Sequence, residues 1–190
     1  MSEVIYLASQ SPRRVELLSK LPVTFTQIPN LLNDETLVAA DGNISNQIIQ
    51  LCIRKAKASL ANYKNWILTA DTCVILNDTV FGKPRSEKEA EQMLLALSGE
   101  THDVISACCL YNPQTHHYFT CSDTAHVTFS NLSLQCIQHY IKNCTPFDKA
   151  GSYGIQDIPS HFLAQLNGNY ETVLGLPINQ LKKLLKHVYT

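Results

Sequence analysis

Neither sign of charge is in excess in this chain: 15 Lys and Arg stand against 16 Asp and Glu among 190 residues, for a formal net charge of -1. No global basic field exists to attract nucleic acid, so any anion site has to be assembled locally. No apolar run approaches the length of a membrane span. The opening "MSEVIYLAS" carries an acid where a secretory signal needs positive charge. The seven cysteines are odd in number and contain neither a Cys-x-x-Cys pair nor zinc-ligand spacing. Cys73, Cys108, Cys109 and Cys121 sit in strand-like runs, so buried reduced thiols and a cytoplasmic protein are expected. Repeats, low-complexity tracts and linkers are lacking too. Neither nucleic acid nor membrane is an expected partner.

What is present is an interleaving of strands and helices. "EVIYLA" reads as a strand, the loop "SQS" follows, and a helix runs from Pro12 to about Leu21, with Ser11 at its N-cap. "PVTFTQI" is a strand and "PNLLNDETLVAADGN" a loop. Ser45 is the expected cap of a second helix reaching about Ala61, with Ile48, Cys52, Ala56 and Leu60 facing inward. "WILTADTCVIL" and "TVFGK" are strands joined at Asn77-Asp78, and Ser86 with Glu89 forms a capping box. "THDVISACCLYN", "HHYFTCSDT" and "AHVTFSN" read as three strands, and "SLQCIQHYIKN" as a helix. "HFLAQLNGNYETVLG" suggests a hairpin turning at Asn167-Gly168, ahead of a last helix from about Pro177. The expected architecture is one α/β domain, residues 1–190, with a mixed sheet.

Several residues stand out chemically, each with an ordinary structural alternative. In "LASQSPRR", Arg13 and Arg14 occupy the first turn of a helix, the end whose partial positive charge disfavours cations. Ser9, Ser11 and the two arginines are either an anion site at a helix N-terminus or two solvated arginines. Asp71 interrupts the apolar run "LTADTCVIL", as a rigidly held carboxylate does, or else bonds locally as a turn aspartate. Glu35 in "NDET", taken alone, is an exposed loop acid. Lys55 lies at the border of the buried stripe of the second helix, where lysines usually snorkel, while Arg54 and Lys57 fall on its polar side. Lys83, between Gly82 and Pro84, points either into a cleft or into solvent. "DKAGSYGIQ" offers two glycines with Lys149 and Gln156, either a ligand loop or a flexible connection.

Taken in order, "LASQSPRR", "NDET", "ADTCV", "GKP", "DKAGSYGIQ" and "NYETVLGLP" resemble the motifs of the Maf family, over nearly the whole chain from Ile5 to the final helix. The resemblance implies an ITPase-like α/β fold of Maf/Ham1 type, a mixed central sheet with flanking helices and an active-site cleft. It implies a pyrophosphatase that cuts a nucleoside triphosphate between its α- and β-phosphates, assisted by a divalent cation, Mg or Mn. By motif, Asp71 matches the family's general base, and Ser9, Arg13, Arg14, Lys55 and Lys83 match its phosphate-contacting positions. Glu35 and Asp71 match the metal's acidic neighbours, with Asp34 as a substitute because the loop aligns with a one-residue length difference. Arg13, Thr72 and Gln156 are similar to the branch acting on dTTP and UTP. The branch acting on 7-methyl-GTP carries an aromatic residue, a glutamine and an acidic loop there. Asn33 and Cys73 depart mildly from the family pattern. The same chemistry on 7-methyl-GTP, or a non-catalytic nucleotide-binding regulator of cell division, are the competing implications. A homodimer is a further one.

Overall fold

The computed structural model describes residues 4–37, 43–59 and 63–188. Its strands are β1 (Ile5–Ala8), β2 (Phe25–Ile28), β3 (Ile67–Leu76), β4 (Thr79–Phe81), β5 (Thr101–Tyr111), β6 (Tyr118–Phe129) and β7 (Leu163–Asn167). Its helices are α1 (Pro12–Ser19), α2 (Ile44–Ala58), α3 (Glu87–Leu97), α4 (Leu134–Cys144), α5 (Tyr170–Leu174) and α6 (Ile178–Leu185). Among the described residues, hydrogen bonding joins the strands in the order β2-β1-β3-β5-β6-β7, with β4 on the end of β3. The β1 pairings with β2 and β3 are parallel, and β3–β4 and β6–β7 are antiparallel, so the sheet is mixed as expected. No described helix is long and apolar enough to cross a membrane.

Two compact units divide the chain, and β3, β5 and β6 contribute to both. The first comprises the described parts of Met1–Asp71, Ser106–Asp123 and Gly175–Thr190. Its interior is built from Ile5 and Leu7 of β1, Leu17 and Leu18 of α1, and Ile48, Leu51, Cys52 and Ala56 of α2, with Ile67, Leu68 and the run Ala107–Leu110. The spacing of the α2 residues is the helical stripe visible in the sequence. The cap of α2 differs from expectation. Asn43, not Ser45, is the N-cap, its side chain accepting the Asn46 N–H at 3.2 Å; asparagine serves there as well as serine, and the helix starts two residues earlier. The expected Leu60 and the helix end at Ala61 lie outside the described residues.

The second unit, Thr72–Ile105 with Thr124–Leu174, has its own core. Leu94 and Leu97 of α3, Val127 and Phe129 of β6, Ile137 and Tyr140 of α4, and Phe162 are all buried there. Asn77 (φ 48°) and Asp78 (φ 62°) form the tight β3–β4 turn, closing the Leu76–Thr79 pair; positive φ at both central positions matches the right-handed twist of a hairpin. Ser86 accepts the Glu89 N–H at 3.2 Å, and Ser133 caps α4 in the same way at Cys136. Two expectations are corrected. "HHYFTCSDT" and "AHVTFSN" are not two strands: the chain from Tyr118 to Phe129 is the single strand β6, with no break at Thr124-Ala125. Asn167-Gly168 ends β7 without starting a hairpin, and the chain enters α5 instead. Gly168 (φ 121°) is needed there because a Cβ would lie 2.8 Å from the Ala125 Cα.

Aromatic packing in this unit encloses a histidine. His102 is 1% exposed, its ring edge-on to Phe129 and Tyr153, and its Nε2 lies 2.8 Å from the Tyr153 hydroxyl. Its Nδ1 is buried without a hydrogen-bond partner among the described residues, and burial pushes its pKa down from 6.5 to about 4. A lowered folded-state pKa means that the unfolded chain binds a proton which the folded one refuses. The stabilisation is therefore complete above pH 6.5 and lost as pH falls toward 4, amounting to about 3 kcal/mol across that window. Urea unfolding from pH 7 to pH 4 is expected to show this loss, and His102→Gln, which does not titrate, should flatten that part of the profile.

Candidate active site

Strand β1 ends at Ala8, and the next residue, Ser9, is buried. Gln27 of β2 donates from Nε2 to the Ser9 carbonyl at 2.8 Å, fixing the turn that leads into α1. The Ser9 hydroxyl oxygen accepts from the Ser11 N–H at 3.2 Å and from Arg14 Nη1 at 3.4 Å. Ser11 is the N-cap of α1 as expected, but its side chain makes no capping bond, and Pro12 follows at the start of the helix. The first turn contains no acid, and Arg13 and Arg14 are both half-buried. The solvated reading is set aside for Arg14. Arg14 is held on three sides, with Nε donating to the Gly175 carbonyl at 2.8 Å, Nη1 on Ser9, and Nη2 3.8 Å from Asp71 Oδ1.

Asp71 lies midway along β3, where Asp71 and Thr72 are half-exposed between buried residues on either side. Lys55 approaches it from α2, Nζ to Oδ1 3.4 Å, and the same ammonium lies 3.0 Å from Glu35 Oε2. Lys55 therefore does not snorkel. Its side chain is 5% exposed, and a buried ammonium is tolerated only when paired. Glu35 is not an isolated loop acid either, because Asn30 Nδ2 donates to its other oxygen at 2.7 Å. Asp34 turns away to accept the Thr36 N–H at 2.9 Å, and hydrogen bonding to Thr36 holds its carboxyl below the usual range. Of the two candidate acids, Glu35 is the one beside Lys55.

Ser9, Arg14, Glu35, Lys55 and Asp71 thus form one continuous set of contacts in the first unit. Two carboxylates converge on one cationic point, and hard oxygen donors of this kind suit Mg or Mn. No group of three or more His, Cys, Asp or Glu side chains placed to hold a metal occurs among the described residues. Mg needs only one or two carboxylates when phosphates complete its shell, so Glu35 and Asp71 fit such an ion.

Lys83 and Gln156 belong to the second unit, both exposed. The Gly82 carbonyl beside Lys83 accepts the Gly151 N–H at 3.1 Å, tying the Lys83 turn to the glycine loop. That segment forms two 3-10 turns, Pro146–Asp148 and Ala150–Ser152. Lys149 is buried, with Nζ 2.8 Å from Asp148 and 3.5 Å from Asp157. A Cβ on Gly154 would lie 2.6 Å from Asp157 Oδ2 and 2.7 Å from Lys149 Cε, so this glycine makes room for an internal ion pair. Gln156 donates from Nε2 to Asp157 Oδ2 at 3.2 Å.

One contributor was not apparent from the sequence. Arg54 falls on the polar side of α2, yet its Nη1 donates to the Asp34 carbonyl at 3.3 Å and its Nη2 to the Thr36 carbonyl. It thereby grips the backbone on both sides of Glu35. Helical periodicity marks Arg54 only as outward-facing, since nothing local in the sequence says that a distant loop lies across that face.

Comparison with known proteins follows the same lines. The Maf-like protein family model matches residues 4–188. A dTTP/UTP pyrophosphatase of Clostridium perfringens (strain SM101 / Type A) is 38% identical over 96% of this chain and 96% of its own length. The dTTP/UTP pyrophosphatase of Escherichia coli (strain K12) is 40% identical over 96% of this chain and 92% of its own. Among solved structures, the Staphylococcus aureus Ham1 protein superposes with a TM-score of 0.52 at 14% identity, covering 97% of this chain and 99% of that one. The fold is thus of Ham1 type, and the chain belongs to the Maf-like protein family. Arg54→Ala is expected to release the Glu35 segment, with amide exchange over residues 31–37 rising severalfold by mass spectrometry while α2 and β3 stay protected.

Proposed function

We propose that this protein hydrolyses dTTP and UTP between the α- and β-phosphates, releasing the nucleoside monophosphate and pyrophosphate. The observation that carries the reading is the buried Lys55 ammonium between Glu35 and Asp71, with the Arg14 guanidinium on the same Asp71 oxygen. The names of relatives 38% and 40% identical to this chain support the nucleoside triphosphate pyrophosphatase class. Arg13, Thr72 and Gln156 support the pyrimidine preference. With one amide proton on Asp157, Gln156 keeps a carbonyl acceptor and a second proton, which match the N3–H and carbonyl of a thymine or uracil edge.

Hydrolysis of a phosphoanhydride asks for positioning and charge neutralisation more than covalent chemistry. Arg14 and Lys55 offset the charge of the phosphate chain, Ser9 holds the turn at the helix N-terminus, and Arg13 adds a second guanidinium. Lys83, on its exposed turn, is the remaining phosphate ligand of the proposal. Asp71, with its side chain 19% exposed, is reachable by water and either takes its proton or orients it. Glu35 and Asp71 would hold the divalent cation, which supplies further neutralisation of phosphate oxygens.

The test is a side-by-side assay of dTTP, UTP and 7-methyl-GTP with Mg or Mn, reading nucleoside monophosphate and pyrophosphate. Turnover of dTTP and UTP above 7-methyl-GTP is expected, together with complete loss in EDTA. Asp71→Asn should lower kcat by about 10²- to 10⁴-fold, and wild-type turnover in that variant would remove Asp71 from the chemistry. Release of orthophosphate in place of pyrophosphate, or faster turnover of 7-methyl-GTP, would refute the reading.

A further inference from the structure

The pairing of Lys55 with Asp71 brings together two elements far apart in sequence, and a separate polar contact between them lies one step back along each. The Thr69 hydroxyl donates to the Cys52 carbonyl at 2.7 Å, and Thr69 and Cys52 are both 0% exposed. Thr69 precedes Asp71 by two residues on β3, which puts both side chains on one face about 6.6 Å apart. Cys52 precedes Lys55 by three residues on α2, the same helix face about 4.5 Å along the axis. The Thr69–Cys52 hydrogen bond and the Lys55–Asp71 ion pair are thus consecutive rungs between one strand and one helix. Cys52 is pinned again by its thiol, which donates to the Ala107 carbonyl of β5 at 3.4 Å. Burial, and then the charge of Asp71, push that thiol's pKa up and keep it a protonated donor.

Apolar contact between a helix and a sheet resists sliding by close packing but has no direction of its own, so it defines register less sharply than a polar bond does. A buried hydroxyl-to-carbonyl bond does have direction, and breaking it strands a donor away from water. The hydroxyl adds a directional restraint to those supplied by the Cys52 thiol and the Lys55 ion pair, and a displacement of 1 Å at a reacting group is enough to cost a large factor in rate.

We propose that Thr69 is a positioning residue of this site, its hydroxyl fixing the register of α2 on β3 and through it the placement of Lys55 against Asp71. The rate measurement rests on the pyrophosphatase reading, and the structural measurement does not. Thr69→Val keeps the volume and removes the hydroxyl. It is expected to lower kcat on dTTP about tenfold with KM changed less than twofold, and Thr69→Ser should restore kcat to within twofold of wild type. In a Lys55→Ala background, Thr69→Val should cost less than twofold more, because the hydroxyl acts through the ammonium. Wild-type kcat in Thr69→Val, no rescue by Ser, or the full tenfold loss repeated without Lys55 would each overturn the proposal. Should Thr69→Val be too unstable to assay, Thr69→Cys, a weaker donor, is expected to show a smaller loss in the same parameter, and wild-type kcat there overturns the proposal equally. A wild-type protein that turns over none of the three nucleotides refutes the proposed function and not this inference. A crystal structure of Thr69→Val then decides it. Separation of Lys55 Nζ from Asp71 Oδ1 beyond about 4 Å is expected, and retention near 3.4 Å overturns it.

Discussion

The first unit is organised around a lysine whose charge has been taken out of water. An ammonium loses several kcal/mol on leaving solvent, by order of magnitude, and regains it only from well-placed opposite charge. Lys55 finds that charge on two segments, Asp71 on β3 and Glu35 in the loop after β2. The loop must therefore lie across α2, and α2 must lie on β3 in one register. Arg54 holds the loop from α2, and Thr69 holds α2 on β3. Removing either carboxylate would leave Lys55 with half its compensation.

The same logic accounts for arginines at the wrong end of a helix. In an isolated α1, Arg13 and Arg14 would oppose the partial positive charge of the N-terminus by a few tenths to about 1 kcal/mol each. In the fold, the Gly175 carbonyl and the Asp71 carboxylate face Arg14. The contacts seen among Arg14, Lys55, Glu35 and Asp71 are balanced, two positive groups against two negative. In the proposed activity an arriving triphosphate would compete for the cations, and a divalent ion would compensate the carboxylates so released. This exchange is the physical content of the proposed activity.

A second buried lysine makes an instructive contrast. Lys149 also has two carboxylate partners, but Asp148 and Asp157 belong to its own loop. A local arrangement of that kind stiffens the segment that carries it, here the turns around Gly151 and Gly154 ahead of Gln156. The partners of Lys55 come instead from separate elements, so its charges are linked to the placement of whole strands and helices. Identical residue types thus do different work according to the sequence separation of their partners.

Sequence alone determined much of this protein, and it did so wherever the cause was local. The stripe of α2, the Asn77-Asp78 turn and the Ser86 cap follow from periodicity and neighbouring hydrogen bonds, and all are present. The order of short motifs pointed to the Maf family, because each motif is a continuous stretch. Sequence placed the α2 cap on Ser45 and a hairpin at Gly168, where two local solutions of similar energy compete and packing chooses. Of the site, Arg14, Asp71, Glu35 and Lys55 could be named in advance, but the ordinary alternative was as good locally for Arg14 and the better one for Glu35 and Lys55, while the apolar flanks favoured a functional Asp71. Only the tertiary structure decided that Lys55 is buried, that Glu35 and not Asp34 faces it, and that Arg54 and Thr69 take part. Each of those facts is a contact between segments distant in the chain, and such contacts leave no periodic or spacing signal in either segment.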